Sequence, residues 1–314
     1  MYLDPTFGAS GKLIDPFFTQ NPVKIHFENN KYILIGGADS IICLNYDGSK
    51  DTTFGNNGIV VYNSSSTEYF IVSGSKLVNG FIYVYGQVQT SSSVNNDDIF
   101  LIKISTSGIL DSSFGVNGII RQDFSSKDIL NDIIILNDGK ILGIGSKLDS
   151  AAIGHMILIK YNSNGTIDTN FDPNGFKNLA VPQSSSSTAS NILNFENNFL
   201  VVGQSYVVSS AHYDLVMIKM DENGNYIPTF GTNGVKKMAI STIGDLSQYW
   251  IMDAKLNGNG LYFIRGHIWS YLNQGNELLK YNLNTDTMET LIYLPRRSPF
   301  YAFDNNQKIY ITIF

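Results

Sequence analysis

Cysteine, charge and long apolar runs are scarce in this chain of 314 residues, and each shortage excludes something. The single cysteine, Cys43, rules out an internal disulfide. Charged residues make up only 15%, and the net charge of -6 leaves no basic surface for a phosphate backbone, so we expect no nucleic-acid partner. No run of 18 apolar residues occurs, so we expect no membrane-spanning helix.

Targeting and catalytic motifs are also missing. Residues 1–5 lack the basic flank and apolar run of a secretory signal, so we expect a cytoplasmic protein or a secreted one whose leader is not in this sequence. The low charge is made up by Ser, Asn and Gly, which favours an extracytoplasmic or cell-surface location. The sequence contains no Gly-Xaa-Ser-Xaa-Gly elbow, Walker loop or His-Glu-Xaa-Xaa-His motif.

A repeated phrase of phenylalanine followed by turn glycines organises the chain. It begins at five positions, 47 to 60 residues apart: Phe7, Phe54, Phe114, Phe171 and Phe230. Self-similarity at this period is typical of repeat folds. Because a repeat describes how a scaffold is built, it predicts the fold and leaves the function open.

Each repeat reads as four strands, A to D. In the third unit, runs at 131–136 and 140–145 flank the hairpin turn Asn137-Asp138-Gly139, a third run covers 156–161, and the last lies near 176–181. Four antiparallel strands at this period predict a propeller blade. The sequence therefore predicts a single all-β domain over 1–314, a β-propeller of about six blades at 23–62, 70–124, 129–181, 190–240, 250–294, and 298–314 joined with 1–14. The last blade is shared between the termini and lacks one strand in this prediction.

The phrases Ser107-Gly-Ile-Leu-Asp-Ser-Ser-Phe-Gly-Val-Asn-Gly118 and Asn164-Gly-Thr-Ile-Asp-Thr-Asn-Phe171 resemble the bacterial delta-60 repeat. The resemblance extends over nearly the whole chain. It implies a β-propeller in a bacterial, often secreted or surface-associated, protein, and it brings no catalytic residues with it. The chain departs from the pattern at Asp172-Pro173 and at Ile227-Pro228.

The residues of the phrase have physical roles that suit a turn between strands C and D. Asp51, Asp111 and Asp168 are expected to accept hydrogen bonds from loop amides, the phenylalanine to pack between blades, and the glycines to supply positive φ. An ion site is the alternative for turns such as 221–224. Because an EF-hand loop needs a glutamate twelfth from Asp221, where Thr232 stands, a structural turn is favoured and no cofactor or metal is expected; calcium stays an unsupported alternative.

The loops that do not repeat, D to A and B to C, form the predicted site, because loops on a rigid scaffold usually carry binding. Aromatic and histidine side chains collect there, and these are the predicted binding residues: Trp269, Tyr271, Tyr206, Tyr249, Trp250, His155 and His212. Two interpretations stay open for the rings, ligand contact and loop packing. The histidines stand near Asp98 and Asp214, an arrangement that suits a metal, although a solvated or hydrogen-bonded histidine is favoured.

The leading functional hypothesis is a non-catalytic scaffold that binds a protein or a carbohydrate through this variable face. An alternative is a propeller hydrolase or lyase with a metal in the central channel. It rests on precedent alone, since the four arginines form no evident triad and Glu28, Asn131 and Asp253 form no convergent pattern. A third hypothesis is a structural module of a larger surface protein. The sequence leaves the oligomeric state open.

Overall fold

The chain folds into β-strands, with one short 3-10 helix, Val208–Ser210, in the part that the structure describes. The computed structural model describes residues 6, 8, 24–36, 40–62, 67–90, 97–124, 127–241, 248–270, 273–294, 300–303 and 309–312. Within these residues, no helix is long and apolar enough to cross a membrane. Two compact units divide the chain, Met1–Ala152 with Ile159–Phe176, and Ile153–Leu158 with Lys177–Phe314.

In the described residues, five four-stranded sheets follow one another along the chain. They are named blades 1 to 5, and in each of them every strand is hydrogen-bonded to the next one in the chain. Blade 1 contains β1 Lys24–Glu28, β2 Lys31–Ile35, β3 Ser40–Asn45 and β4 Ile59–Val61, and blade 2 contains β5 Glu68–Val78, β6 Phe81–Thr90, β7 Asp98–Ser105 and β8 Ile119–Gln122. Blade 3 contains β9 Asp128–Ile135, β10 Ile141–Leu148, β11 Gly154–Tyr161 and β12 Phe176–Asn178. Blade 4 contains β13 Ser186–Phe195, β14 Asn198–Val207, β15 His212–Met220 and β16 Val235–Ala239, and blade 5 contains β17 Gln248–Asn257, β18 Gly260–Ser270, β19 Asn273–Asn282 and β20 Thr287–Leu294.

This strand order is that of propeller blades, so the predicted all-β propeller fold is confirmed. Antiparallel registers join the strands of blades 1, 2, 4 and 5.

The expected total of about six blades is wrong, because the described residues form five four-stranded blades. After blade 5 comes a two-stranded sheet, β21 Phe300–Phe303 and β22 Ile309–Thr312, which pair with each other. The sequence pattern treated this hairpin and the N-terminal phrase as one blade. Most of 1–14 lies outside the described residues, and in the described part the hairpin has only its own two strands.

Apolar strand residues fill a core in each unit. In the first unit, Phe54, Phe70 and Phe100 pack with isoleucines and valines from blades 1 and 2. In the second unit, Leu215, Phe230 and Phe263 belong to a cluster that draws on blades 4 and 5. Because Phe54 and Phe230 come from the repeated phrase, the prediction that its ring packs between blades is confirmed at these two copies.

The repeated phrase is a tight turn closed by its own aspartate. Asp51 Oδ1 accepts hydrogen bonds from Thr53 N at 3.1 Å and Thr53 Oγ1 at 2.6 Å, and Asp111 makes the same pair of bonds with Ser113. Asp168 accepts one from Asn170 N at 3.2 Å. The expected role of these three aspartates is therefore confirmed.

The first glycine of the phrase links its turn to the following blade. Gly55 has a φ of 51° and donates its N–H to Ser107 O at 2.9 Å, and Gly115 donates to Asn164 O at 2.8 Å. In both cases the acceptor is the carbonyl just before the glycine of the next C–D turn. Gly8 makes the corresponding bond to Asp47 O at 2.7 Å. We call this bond the glycine link.

Where the phrase departs from the repeat, a lysine replaces the glycine link. Asp172 stands in place of the glycine in the fourth copy, the one in blade 3, and Lys177 Nζ donates to Asn223 O at 2.6 Å, which is the equivalent carbonyl of blade 4. Lys177 thus supplies a donor where the main chain does not, and the carbonyl stays satisfied. At the equivalent position of blade 4, where Gly231 is kept, Lys236 Nζ reaches Leu283 O of blade 5 at 3.0 Å.

We predict that Gly108→Ala destabilises the protein more than Gly80→Ala. Both glycines have positive φ, 81° and 77°, so each alanine adopts a strained backbone, costing about 1 kcal/mol. A Cβ on Gly108 would also lie 2.9 Å from Gly55 Cα, whereas one on Gly80 meets nothing within 4 Å. The free energy of unfolding, measured by chemical denaturation, should fall by about 3 kcal/mol for Gly108→Ala. Equal losses in the two variants would contradict the packing of the glycine link.

We also predict that His26 makes the protein less stable in mild acid. His26 Nε2 lies 2.7 Å from Ser75 Oγ, and burial, helped by the charges of Lys24 and Lys76, lowers the pKa of His26 to about 4. Below its unfolded pKa of about 6.5, the unfolded chain binds a proton that the folded chain does not, so the contribution of His26 is lost as the pH falls from about 6.5 towards 4.

Between pH 7 and pH 5, the wild type should lose on the order of 1 to 2 kcal/mol more unfolding free energy than His26→Gln. Glutamine keeps a hydrogen-bonding group near Ser75 and does not titrate, so it is the matched comparison. Parallel pH profiles for the two proteins would show that His26 is not held in its neutral form.

Candidate functional site

Three tyrosines form a row at the loop between the second and third strands of blade 4. Tyr206 and Tyr213 are cross-strand partners on β14 and β15, and their ring centroids are 4.8 Å apart. The ring of Tyr249, on the first strand of blade 5, follows at 5.9 Å from Tyr213. Tyr206 and Tyr213 are half-buried and Tyr249 is buried, so the row has an anchored end and an accessible end. We call these three residues the tyrosine row.

Gln204 fixes the position of Tyr249. Its Nε2 donates to Tyr249 O at 2.8 Å, and its Oε1 accepts from Ile251 N at 2.7 Å. These bonds are made where β17 has a register shift, between Ile251 and Asp253, so the side chain satisfies main-chain groups at an irregular part of the strand. One amide therefore ties blade 5 to the second strand of blade 4.

Arg265 supports the buried end of the row. Its guanidinium carbon lies 5.4 Å from the centroid of the Tyr249 ring, within the range of a cation–π contact. The same group is paired with Glu277, with Nε 2.7 Å from Oε2, and it donates to Ile240 O. The arginine charge is thus neutralised beneath the row.

A second polar network adjoins Tyr213. Asp214 Oδ1 lies 3.0 Å from His212 Nε2, and Asp214 Oδ2 lies 2.9 Å from Lys237 Nζ. His212 Nδ1 is 2.7 Å from Ser210 Oγ, and Lys237 also donates to Pro182 O at 3.0 Å. Burial, with a smaller contribution from Tyr206, raises the pKa of Tyr213, so its phenol stays neutral at physiological pH. Each charged group of this network has a partner inside the protein.

The structure brings together some of the predicted binding residues. Tyr206 and Tyr249 lie in the tyrosine row, and His212 is bonded beside it. Trp250 is half-buried, and its indole packs so closely on Gly266 that a Cβ there would overlap it, so this ring serves packing. His155 lies exposed on β11. Trp269 lies on β18 with a side chain that is not described, and Tyr271 lies outside the described residues.

Sequence reasoning missed Tyr213, Gln204 and Lys237. Tyr213 was detectable, because the short turn at 208–211 places it opposite Tyr206 in an antiparallel hairpin. Gln204 and Lys237 act through blade-to-blade or loop contacts that strand periodicity does not reveal.

The described residues contain no group of three His, Cys, Asp or Glu side chains that could hold a metal ion. His212 has Asp214 as its carboxylate neighbour, and that carboxylate is shared with Lys237. In the turn at 221–224, Asp221 Oδ1 accepts hydrogen bonds from Asn223 N and Asn225 N at 2.9 and 2.8 Å. The carboxylate of Asp221 thus accepts hydrogen bonds from main-chain amides of its own loop, as expected for a structural turn.

Comparisons with known proteins bear on the fold. A family model described as a domain of unknown function with a β-propeller fold, DUF5122, matches residues 29–54 and 136–171. These segments belong to blades 1 and 3. Each runs from the turn between the first two strands of its blade to the phenylalanine of the repeated phrase, so the match supports a β-propeller family. A search of curated proteins gave no match.

Similar solved structures include a putative 6-phosphogluconolactonase from Bacteroides fragilis, with 11% identity, a TM-score of 0.47, and coverage of 93% of this chain and 77% of the other. A GH43_1 enzyme from Xanthomonas citri has 7% identity, a TM-score of 0.41, and coverage of 93% and 90%. BamB from Moraxella catarrhalis has 11% identity, a TM-score of 0.37, and coverage of 78% and 58%. At these scores the similarities carry no argument about activity.

We predict that Gln204→Ala lowers the free energy of unfolding by about 2 to 3 kcal/mol, because it removes two hydrogen bonds and leaves main-chain groups of β17 without them. Gln248→Ala, at an exposed position of the same strand, is the control and should change stability by less than about 0.5 kcal/mol. Chemical denaturation measures both. A neutral Gln204→Ala variant would show that the amide does not hold the tyrosine row in place.

Proposed function

We propose that this protein is a non-catalytic repeat scaffold that binds a glycan through the tyrosine row at the variable end of blades 4 and 5. The observation that carries the proposal is the row of neighbouring rings of Tyr206, Tyr213 and Tyr249, tilted by 42° and 52° from one to the next, with two half-buried rings beside a buried one. Aromatic rings of this kind offer a flat apolar face with a polar hydroxyl, which suits the alternating CH and OH surface of a sugar.

The charge distribution favours a neutral ligand. Asp214 is paired with His212 and Lys237, and Arg265 is paired with Glu277. A strongly charged ligand would have to compete with these internal partners, at the cost of leaving one charge unpaired. The uncharged phenol groups of the tyrosine row then provide the contact surface, so a neutral polyhydroxyl compound fits better than an anion or a cation.

The size of the row favours a sugar over a protein. A stable protein interface usually buries about 800 Å² on each partner. Two partly accessible tyrosine rings provide only a fraction of that area. This smaller area is enough to contact one or two sugar rings. Binding of a protein alone is therefore an outcome that would contradict this proposal.

The cellular setting of the proposal is a bacterial cell surface or extracellular space. It is supported by the low content of charged residues and by the resemblance of the repeated phrase to the delta-60 repeat. A neutral glycan is a common component of that environment.

A glycan array, followed by titration calorimetry with the best ligand, tests the proposal. Tyr206→Ala and Tyr213→Ala should each weaken binding about tenfold, as expected for loss of about 1.4 kcal/mol of stacking. Tyr293→Ala removes an exposed ring of blade 5 outside the row and should leave the affinity unchanged. Trp269→Ala and Tyr271→Ala show whether the other predicted rings contribute.

Absence of any glycan ligand, or equal binding by Tyr206→Ala, Tyr213→Ala and Tyr293→Ala, would overturn the assignment. Circular dichroism of each variant separates loss of binding from loss of folding. A parallel protein array identifies the case in which the face binds a protein and no sugar.

A further inference from the structure

A cavity in blade 1 coincides with a break in the repeat. The cavity has a volume of about 240 Å³ and lies between the second and third strands of blade 1 and the C–D turn of blade 2. Its floor is formed by Ile33, Cys43, Asp51 and Phe54, which are buried or nearly so. Its rim includes exposed residues, among them Glu28, Asn29, Thr53 and Ser107, so it is open to solvent.

Cys43 occupies the position at which other blades carry a lysine. The main-chain bonds define the equivalence: Asp51 N donates to Cys43 O, Asp111 N to Lys103 O, Asp168 N to Lys160 O, and Ile227 N to Lys219 O, each at 2.9 Å. Blade 1 thus has a short thiol side chain where blades 2, 3 and 4 have a four-carbon ammonium side chain.

The lysines of blades 2 and 3 show which groups surround an ammonium group at this position. Lys103 Nζ lies 2.8 Å from Asp111 Oδ2 and 5.7 Å from the centroid of Phe114. Lys160 Nζ lies 5.7 Å from the centroid of Phe171; the pKa of Asp168 is lowered chiefly by its hydrogen bond from Lys140, and the charge of Lys160 adds a smaller contribution. A carboxylate and a phenylalanine three residues later therefore surround an ammonium group in these blades. Asp51 and Phe54 are the same pair in blade 1, and both line the cavity.

Blade 3 shows that one aspartate tolerates two ammonium groups. There Lys140 forms an ion pair with Asp168 at 2.8 Å while Lys160 lies over Phe171. Blade 1 keeps the first of these cations, since Lys31 Nζ lies 2.5 Å from Asp51 Oδ2. The second is missing because Cys43 replaces it. With Glu28 added, the charged residues that line the cavity sum to one net negative charge, which favours a cation.

We infer that the blade 1 cavity binds a small primary alkylamine, whose ammonium and carbon chain take the place of the missing lysine side chain. A water molecule occupies about 30 Å³ of liquid, so the cavity has room for several non-hydrogen atoms, and n-butylammonium has five. Its chain lies beside Ile33 and Cys43, and its ammonium faces Asp51 and the ring of Phe54. This site is separate from the tyrosine row.

The thiol itself is a spacer in this site. Burial raises the pKa of Cys43 to about 11, so the group is a neutral thiol at physiological pH and contributes neither an anion nor a strong nucleophile. Its Sγ lies 3.8 Å from Asp51 Oδ2. The ligand is therefore bound without a covalent step.

Titration of the full chain with n-butylammonium chloride, followed by calorimetry and by thermal shift, tests the inference. We expect one saturable site with millimolar affinity, as befits a ligand of five heavy atoms, and no saturable response to n-butanol, which has the same length without the charge. Cys43→Lys fills the cavity with the repeat's own side chain and should weaken binding at least tenfold. Cys43→Ser keeps the cavity and should bind like the wild type.

Lys160→Cys provides a gain-of-site test. It recreates the blade 1 arrangement in blade 3, where Lys140 still pairs with Asp168, and the variant should bind two equivalents of butylammonium. The inference is overturned if the wild type shows no saturable binding, if Cys43→Lys binds as well as Cys43→Ser, or if n-butanol binds equally well. If Lys160→Cys does not fold, the comparison of Cys43→Lys with Cys43→Ser decides alone.

Discussion

The glycine link is the interaction on which the repeat architecture depends. A main-chain N–H can reach the turn of the following blade only if the donor residue has positive φ and no Cβ, and both Gly55 and Gly115 meet these conditions. The acceptor side is equally restricted, because Gly108 lies directly against Gly55. The glycine link therefore requires a glycine in each of two C–D turns, one in each of two neighbouring blades. This explains why its glycines recur while the surrounding residues vary.

The constraint also separates two ends of each blade. The C–D turns carry the link and keep their sequence, so the opposite loops are the ones that are free to differ. Blade 4 shows the result: the turn at 208–211 places Tyr206 and Tyr213 side by side, and Gln204 adds Tyr249 from blade 5. The scaffold fixes the strands, and a few loop residues then build a surface from neutral hydroxyls and rings.

The sequence was sufficient for the features that depend on local geometry. The aspartate turns, the positive φ of the phrase glycines and the four-strand order all follow from residues close together in the chain, and the structure confirms them. Apart from the packing of the phrase phenylalanine, contacts between side chains of different blades could not be predicted from the sequence. The Tyr213–Tyr249 contact needs the register of two blades, and the count of six blades failed because a hairpin pattern does not specify its partners.

This fold acquires new chemistry where its sequence departs from the repeat. At two such positions a nearby side chain takes the place of the hydrogen-bond or ion-pair partner that is lost. Lys177 replaces the glycine link where Asp172 interrupts the phrase, and Glu196 pairs with Lys219 where Ile227 has removed the aspartate. In each of these cases a nearby side chain restores the lost partner. Cys43 differs, since blade 1 keeps the ion pair of Lys31 with Asp51 but has no side chain that fills the volume of the second lysine. The volume of the second lysine stays unfilled, so a cavity with the recognition groups of the repeat is left at that position.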